Sequence, residues 1–531
     1  MKRRTFLGVS AGALAALESR AISATAPAVL DAGRFRHYIE EFNQTFTEEV
    51  VNFIPDADAW EFLSANIPFF TCPDAEIERL YYYRWWTFRK HIKQTPAGFL
   101  ITEFLKPVKH AGEYNALSCA LGHHIAEGRW LRDPRYVDGD LDFWLRSGAG
   151  HGIRANLHQF SGWVASAMYD RWLSDARTSF ATAHLDALIE DYSAWERERL
   201  TDSGLFWQRD VSDGMESSIS GGRKVQNIRP SINSYMYGNA KAIAAIAEMA
   251  DNNSAASAYR DKAARLRELT LQRLWNHEAA FFETLDESSA FATVRENIGY
   301  TPWYFDLPET TAEFGAPWKQ LLDSRGFNAP FGPTTAERRH PDFQIAYKGD
   351  DCQWNGPSWP FATTITLRAL GNYLRRASQP AVSVDDYFET FHTYTRSQRL
   401  TLDNGRNVPF IDENLNPLTG EWLARAMKIQ KKTFYGRGDH YNHSGYADLV
   451  ITGLSGLVPR ADSTVEVHPL LPANRWDWFC LDRIPYHGRN LTIIWDKNGS
   501  NFGRGKGLRV LADGKEIAHA PGLTRITGPL A

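Results

Sequence analysis

The chain has 531 residues, 43% hydrophobic and 23% charged, which excludes a disordered chain and by length allows about two to four domains. With 59 Lys and Arg against 63 Asp and Glu, the net charge is −4 and the signs are interspersed, so neither a nucleic-acid partner nor a partner drawn by an acidic tail is expected. Aromatics are the outlier: 18 Trp, 21 Tyr and 30 Phe make 13% of the chain, and flat aromatic faces suit a sugar-binding cleft.

Residues 2–7 read Lys-Arg-Arg-Thr-Phe-Leu, followed by an apolar stretch from Gly8 to Leu17 and small residues over 21–26. This is the order of an export signal, and Arg3-Arg4 resembles a twin-arginine signal; a general secretory signal is the alternative. Cleavage near Ala24 or Ala26 is expected, giving a periplasmic or secreted protein. No later apolar run reaches about 18 residues, so no membrane anchor is expected after cleavage. Cys72, Cys119, Cys352 and Cys480 are far apart, without a Cys-x-x-Cys pair, so neither a zinc nor a redox signature is present. Mostly buried thiols are the simplest reading, although an oxidising compartment would allow three pairings.

From about Asp31 to Pro459 the periodicity predicts helices, clearest over 157–175, 181–200, 231–250, 255–275, 361–376 and 384–400. In 231–250 the apolar Ile232, Tyr235, Met236, Ile243, Ile246 and Ala247 recur at helical spacing. Asp261, Arg265 and Glu268 mark the solvent face of the next segment. Between the helices run long aromatic, Gly- and Pro-rich loops over 202–230, 326–360 and 401–445, and loops of that length are usually functional. Helix pairs feeding one collection of loops predict a mainly α protein, an α/α toroid with its site at one end. After Pro459 short β-type runs follow at Val465–Val467, Leu491–Trp495, Leu508–Leu511 and Leu523–Ile526, punctuated by Asp496-Lys497-Asn498-Gly499 and Asp513-Gly514. The expected division is an export signal over 1–26, a catalytic toroid over 27–460, and a small β-sandwich or β-sheet module over 461–531.

Glycoside hydrolysis needs two carboxyl groups across the scissile bond, one to protonate the leaving oxygen and one to act from the other side. Two loops offer them: 206–218, with Asp210, Asp213 and Glu216 beside Trp207, and 411–422, with Asp412, Glu413 and Glu421 beside Trp422. Asp213-Gly214-Met215-Glu216-Ser217-Ser218 resembles the Ser-Gly-(Met/Trp)-Asp-x-Ser loop of inverting (α/α)6 glycosidases, the six-hairpin group of family 63, mannosylglycerate-hydrolase-like (MGH1-like) and trehalase-like enzymes. Asp412–Gly420 is similar to their Glu-x-Tyr-(Asp/Asn)-Pro-x-Thr-Gly loop. Gln353–Pro360 is similar to their Trp-x-Gly-Pro-x-Trp motif. The resemblance implies Glu216 as general acid and Glu413 as general base, with Trp354 and Trp359 facing the substrate. This chain departs from the pattern with Glu at 216 and Leu415 in place of an aromatic, so Asp213 and Asp210 stay as rival acids and Glu421 as a rival base.

The remaining substrate-binding candidates are residue types that bind sugar hydroxyls or ring faces: Trp207, Arg84, Trp85, His123, Arg129, Trp130, Gln159, Arg229, Asp439 and His440. His123-His124 has no third ligand at metal spacing, so no metal is expected, and no cofactor. The expected partner is an oligo- or polysaccharide, cleaved from its end with inversion; the oligomeric state is open. Arg437–Gly445 motivates an alternative, a polysaccharide lyase or sugar isomerase on the same toroid using Tyr441 with His443 or His440. A non-catalytic glycan-binding protein is the third reading.

Overall fold

A computed structural model of the chain describes residues 28–146, 157–345, 352–431 and 436–530; the export signal expected over 1–26 lies outside them. Among the described residues six inner helical elements close a ring. They are α1 (Leu121–Gly128), α2 (Val164–Asp175), α3 (Pro230–Met249), α4 (Thr301–Tyr304), α5 (Pro360–Arg376) and α6 (Tyr446–Asp448), the last continuing as a π turn over Leu449–Leu454. α1 packs on α2, α2 on α3, α3 on α4, α4 on α5, α5 on the π turn, and α6 back on α1. An outer helix precedes each in the chain: Ala75–His91, Arg135–Leu145, Leu185–Arg199, Asn253–Arg273, Trp318–Leu322 and Val384–Ser397. Six outer–inner pairs make the α/α toroid expected from the pattern, with the sixfold count that the resemblance implied.

Local chemistry explains where these helices start and how they are buried. Asp74 caps the first outer helix by accepting from the amides of Glu76 and Ile77 at 3.0 and 3.1 Å, and Ser383 with Asp386 forms a capping box on the last. Pro230 and Pro360 begin α3 and α5, where the missing amide costs nothing. α3 is buried nearly all round, as an inner helix must be, with apolar residues filling most of its C-terminal half. Its Gly238 is needed for packing, because a Cβ there would stand 2.2 Å from the Phe305 ring. The aromatic run Tyr81–Trp86 hid the first outer helix from periodicity, since every residue of it is buried.

The strands confirm a sheet module and correct its details. β2 (Leu457–Val458), β3 (Thr464–Val467) and β8 (Ile526–Pro529) form one small sheet, with β3 in the middle. β1 (Phe69–Thr71), β4 (Trp478–Tyr486), β5 (Arg489–Asp496), β6 (Gly507–Ala512) and β7 (Lys515–Ala520) form an antiparallel five-stranded sheet in that order. The last strand begins at Ile526, three residues after the expected start. β4, the longest strand, escaped the sequence because its register shifts between Leu481 and Ile484, with Arg483 at φ 60°, so alternation breaks. β1 comes from the N-terminal segment and pairs with β4, while Asp482 accepts from the amides of Val29 and Leu30 at 2.8 and 2.9 Å. Among the described residues no helix is long and apolar enough to cross a membrane.

Candidate active site

A pocket of about 360 Å³ opens at the N-terminal ends of the inner helices. Its walls come from the loops that precede them: Glu103, Phe104, His110, Leu117 and Cys119 before α1, Phe160 before α2, and Gly214, Glu216 and Arg223 before α3. Cys352, Trp354 and Trp359 precede α5 and Phe361 begins it, while Glu413, Arg437, Tyr441 and His443 precede α6. Glu216 and Glu413, 197 residues apart in the chain, therefore face one cavity. Helix N-termini carry partial positive charge, so the rim favours carboxylates and developing oxyanions.

The Glu216 loop is held by a buried ion pair. The ribbon of Trp207–Gln208 with Asn227–Ile228 closes its base, and Val211–Asp213 makes one 3-10 turn before Gly214 at φ +75°. Asp213 accepts from Arg229 Nε at 2.9 Å and from the Ser231 hydroxyl, with both charges out of water. The pair fastens the loop to the start of α3. Gly214 supplies the left-handed turn and the clearance: a Cβ there would lie 2.6 Å from Cys119 Sγ. Past the turn, Ser217 bridges Gln353 and its carbonyl accepts from the Trp354 amide at 3.1 Å, while the Cys352 thiol donates to Glu216.

The same central loop orders the Glu413 loop. Ser358 and Leu415 exchange amide–carbonyl bonds at 3.0 Å. Trp354 and Trp359 stack at 4.6 Å, with Trp359 Nε1 donating to the Gln353 carbonyl at 2.6 Å. Asp412 turns inward, accepts the Glu413 amide at 2.7 Å, and sits where a Cβ on Gly438 would be 1.8 Å away. The Glu413 side chain is 1% exposed and meets Arg437 Nη2 at 2.9 Å. Burial disfavours the Arg437 charge, but Glu413 offsets it and holds the guanidinium fully protonated. His443 Nε2 lies 3.1 Å from the Glu413 carbonyl oxygen. Glu421 stays exposed on the turn that Gly420 completes, away from the pocket.

A third carboxyl group, Glu103, escaped the sequence reading. Burial, with a further push from Glu413, raises it to about 7, although the hydrogen bond donated by the Tyr441 hydroxyl pulls the other way. Burial likewise keeps the His110 and His443 rings toward their neutral forms and pushes the Cys119 and Cys352 thiols up. The dense stretch 437–445 was a signal for Arg437, Tyr441 and His443. Nothing in Thr102-Glu103-Phe104 marks Glu103, because Tyr441, whose hydroxyl it accepts, lies 338 residues away.

Of the candidates for hydrolysis and sugar binding, Glu216, Glu413, Trp354 and Trp359 reach the pocket, and the others do not. Arg84 is buried, donating to the Ser444 carbonyl at 2.7 Å and to Gln398 at 3.0 Å, and Trp85 is core. Arg129 pairs with Asp448 at 2.8 Å and lies over Trp130, whose Nε1 donates to the same carboxylate at 2.8 Å. His123 is wedged edge-on against Trp163 and Phe361. Arg229 is spent on Asp213. Trp207 lies between Arg199 and Arg209 at 4.5 and 5.8 Å, a cation–π stack outside the pocket. Gln159 is half-buried off the wall, where Phe160 stands instead. Asp439 pairs with Arg425, and His440 is buried, bonded to Tyr83 at 2.7 Å. Of the rival acids, Asp213 is consumed by Arg229, and Asp210, pushed up to about 6 by burial, accepts the Val211 amide at 2.7 Å outside the pocket. The elimination chemistry is split likewise, since Tyr441 and His443 line the pocket and His440 does not.

Comparison with known proteins places this geometry in a family. The mannosylglycerate hydrolase MGH1-like glycoside hydrolase domain matches residues 113–444, and the C-terminal domain of glycosyl hydrolase family 65 matches 460–519. A solved structure titled a sialidase is 46% identical, with a TM-score of 0.88, over 94% of this chain and 45% of its own. The chain thus spans about 45% of the length of that relative. A GH78 family rhamnosidase of Bacillus sp. GL1 shares the fold, with a TM-score of 0.57 at 12% identity over 84% of this chain and 41% of its own.

Proposed function

Because the chain belongs to the MGH1-like glycoside hydrolases, we propose that it is an exo-acting, inverting glycosidase that removes terminal sugars from an oligo- or polysaccharide outside the cytoplasm. One observation carries the reading: Glu216 and Glu413 face each other's cavity from two loops tied together by the tryptophan loop between them. A pocket of about 360 Å³ is at the small end of the roughly 300–1,000 Å³ of ligand sites, which suits one ring at a chain end better than a threaded polymer. Export rests on Arg3-Arg4 and the apolar segment after them.

In this mechanism Glu216 gives its proton to the glycosidic oxygen, and Glu413 takes a proton from a water that attacks the anomeric carbon from the opposite face. Arg437 orients Glu413 and offers it a counter-charge 2.9 Å away, the environment that favours the carboxylate a general base needs. Trp354 and Trp359 supply ring faces, and Phe104, Phe160 and Phe361 exclude water from the walls.

The test is a panel of oligosaccharides and 2,4-dinitrophenyl glycosides, with α-sialosides included because the 46% identical relative is titled a sialidase. Glu216→Gln should lower hydrolysis of sugar leaving groups by about 10²–10⁴-fold. It should slow the dinitrophenyl glycoside far less, because that leaving group departs without a proton. Glu413→Gln should slow both. A retained anomer in the NMR spectrum refutes inversion, and wild-type rates in both variants refute the site.

A further inference from the structure

The ring has a second mouth. At the C-terminal ends of the inner helices a cavity of about 360 Å³, as large as the active-site pocket, lies between the toroid and the start of the sheet module. Five of the six inner elements contribute to its wall, with Arg129, just past the end of α1, and Leu457–Pro459. Nothing in the proposed hydrolysis uses it.

Its charges do not balance. Arg129 and Arg368 form a closed square with Asp170 and Asp448: Arg129 lies 2.8 Å from Asp448 and 3.6 Å from Asp170, and Arg368 lies 2.7 Å from Asp170 and 3.1 Å from Asp448. Asp306, also on the wall, pairs with Arg376 at 2.7 Å. These groups cancel. Two cations remain, Lys241 and Arg375, and among the described residues neither meets a carboxylate within ion-pair distance. Lys241 Nζ donates only to the Phe305 carbonyl, at 3.3 Å, and rests over the Tyr237 ring. Arg375 donates from Nε and Nη2 to the carbonyls of Thr452, Gly453 and His468, and none of these bonds uses Nη1. Arg375, set into the wall, is pushed down to about 10 by burial.

A helix C-terminus attracts cations, and Arg375, next to last in α5, fits that role. Lys241 does not. It stands eight residues before Met249, the end of α3, and the effect of a helix end fades within its last turn. An exposed ammonium at the mouth of a cavity, with a guanidinium on its wall and no carboxylate within ion-pair distance of either among the described residues, is the arrangement an anion completes.

We propose that this cavity is a second ligand site, specific for a small molecule bearing an oxyanion (a carboxylate, sulfate or phosphate) on a sugar ring or free in solution. Lys241 and Arg375 recognise the charge. Asn372 and Thr452 line the same wall beside Tyr169 and Tyr304, offering hydrogen-bonding groups and ring surfaces to the rest of a ligand. The proposal stands independently of the hydrolytic site.

Isothermal titration calorimetry on the full chain at constant ionic strength tests it, with glucuronate, inorganic phosphate and glucose as probes. At least one anion should bind saturably, and Lys241→Met should weaken it about tenfold or more, the usual effect of removing one charged hydrogen-bond partner. Lys241→Met should leave melting temperature and hydrolysis unchanged, since Lys241 is exposed and remote from Glu216 and Glu413. Binding of both anions means that the free oxyanion suffices; binding of glucuronate alone means that the sugar ring is read too. The proposal is overturned if neither anion binds or if Lys241→Met binds both as tightly as wild type. It is equally overturned if Arg437→Ala rather than Lys241→Met abolishes binding, because the anion would then sit in the active-site pocket.

Discussion

Asp213 and Glu216 stand three residues apart in one loop, and the structure gives them opposite jobs, so replacing each in turn separates loop architecture from chemistry. Asp213→Asn keeps the shape of the side chain and removes its charge. Arg229, wholly buried, then loses its counter-ion 2.9 Å away, while the Ser231 hydroxyl loses a charged acceptor. Breaking one side of a buried pair costs about 3–5 kcal/mol, because the surviving charge is left without water or partner. Set against a total stability of about 5–15 kcal/mol, that is a large fraction. Glu216→Gln, on a half-buried residue facing the cavity, should cost less than about 1 kcal/mol. It should instead remove the proton donor, about 10²–10⁴-fold in rate on a sugar leaving group. Urea unfolding followed by tryptophan fluorescence, paired with reducing-sugar release, measures both quantities on the same preparations. If Asp213→Asn melts like the wild type and is catalytically dead while Glu216→Gln stays active, the assignment is reversed and the latch argument fails.

Four further outcomes follow from the same geometry. Gly214→Ala should destabilise by about 1–3 kcal/mol and lower activity, because it strains a φ of +75° and drives a methyl against Cys119 beside the acid; thermal melting and initial rates check it. Asp448, where burial alone would raise the pKa, is held below its ordinary value by Arg129 and Arg368, so it stabilises the fold above the unfolded value near pH 4. That stability drains away as pH falls through the lower folded value, and acid unfolding of Asp448→Asn should lack the corresponding step. Glu103 is raised instead, so the proton it keeps in the fold favours the native state below about pH 4.5 and is lost as pH climbs through about 7, some 3 kcal/mol in all. Glu103→Gln should flatten that part of the melting-temperature profile; Glu127, raised to about 7 by burial, should leave a second decline behind. Arg437→Met should uncouple the base from its counter-charge and move the acidic limb of the rate profile upward, which initial rates between pH 4 and 8 will show.

By itself the sequence determined what depends on neighbours along the chain. Helical spacing in 231–250, 361–376 and 384–400 answers to local geometry, and each segment is a helix within three residues of those limits. Asp496–Gly499 turns because its carboxylate accepts the Gly499 amide at 2.8 Å, a contact only three residues long. The two carboxylate loops and the Trp-Pro loop were legible as irregular, polar and aromatic segments, and their order carried the resemblance to the family. Only the tertiary structure decided which of these groups meet water, charge or one another. Trp85, Trp130 and Trp354 are the same residue type in the sequence, yet the first two fill the core and the third lines the pocket. Asp213 and Glu216 differ in role because Arg229 reaches one and not the other. Glu103 becomes part of the site because Tyr441, 338 residues away, closes over it. Burial and pairing set the energy of a charge, and both are properties of the closed ring.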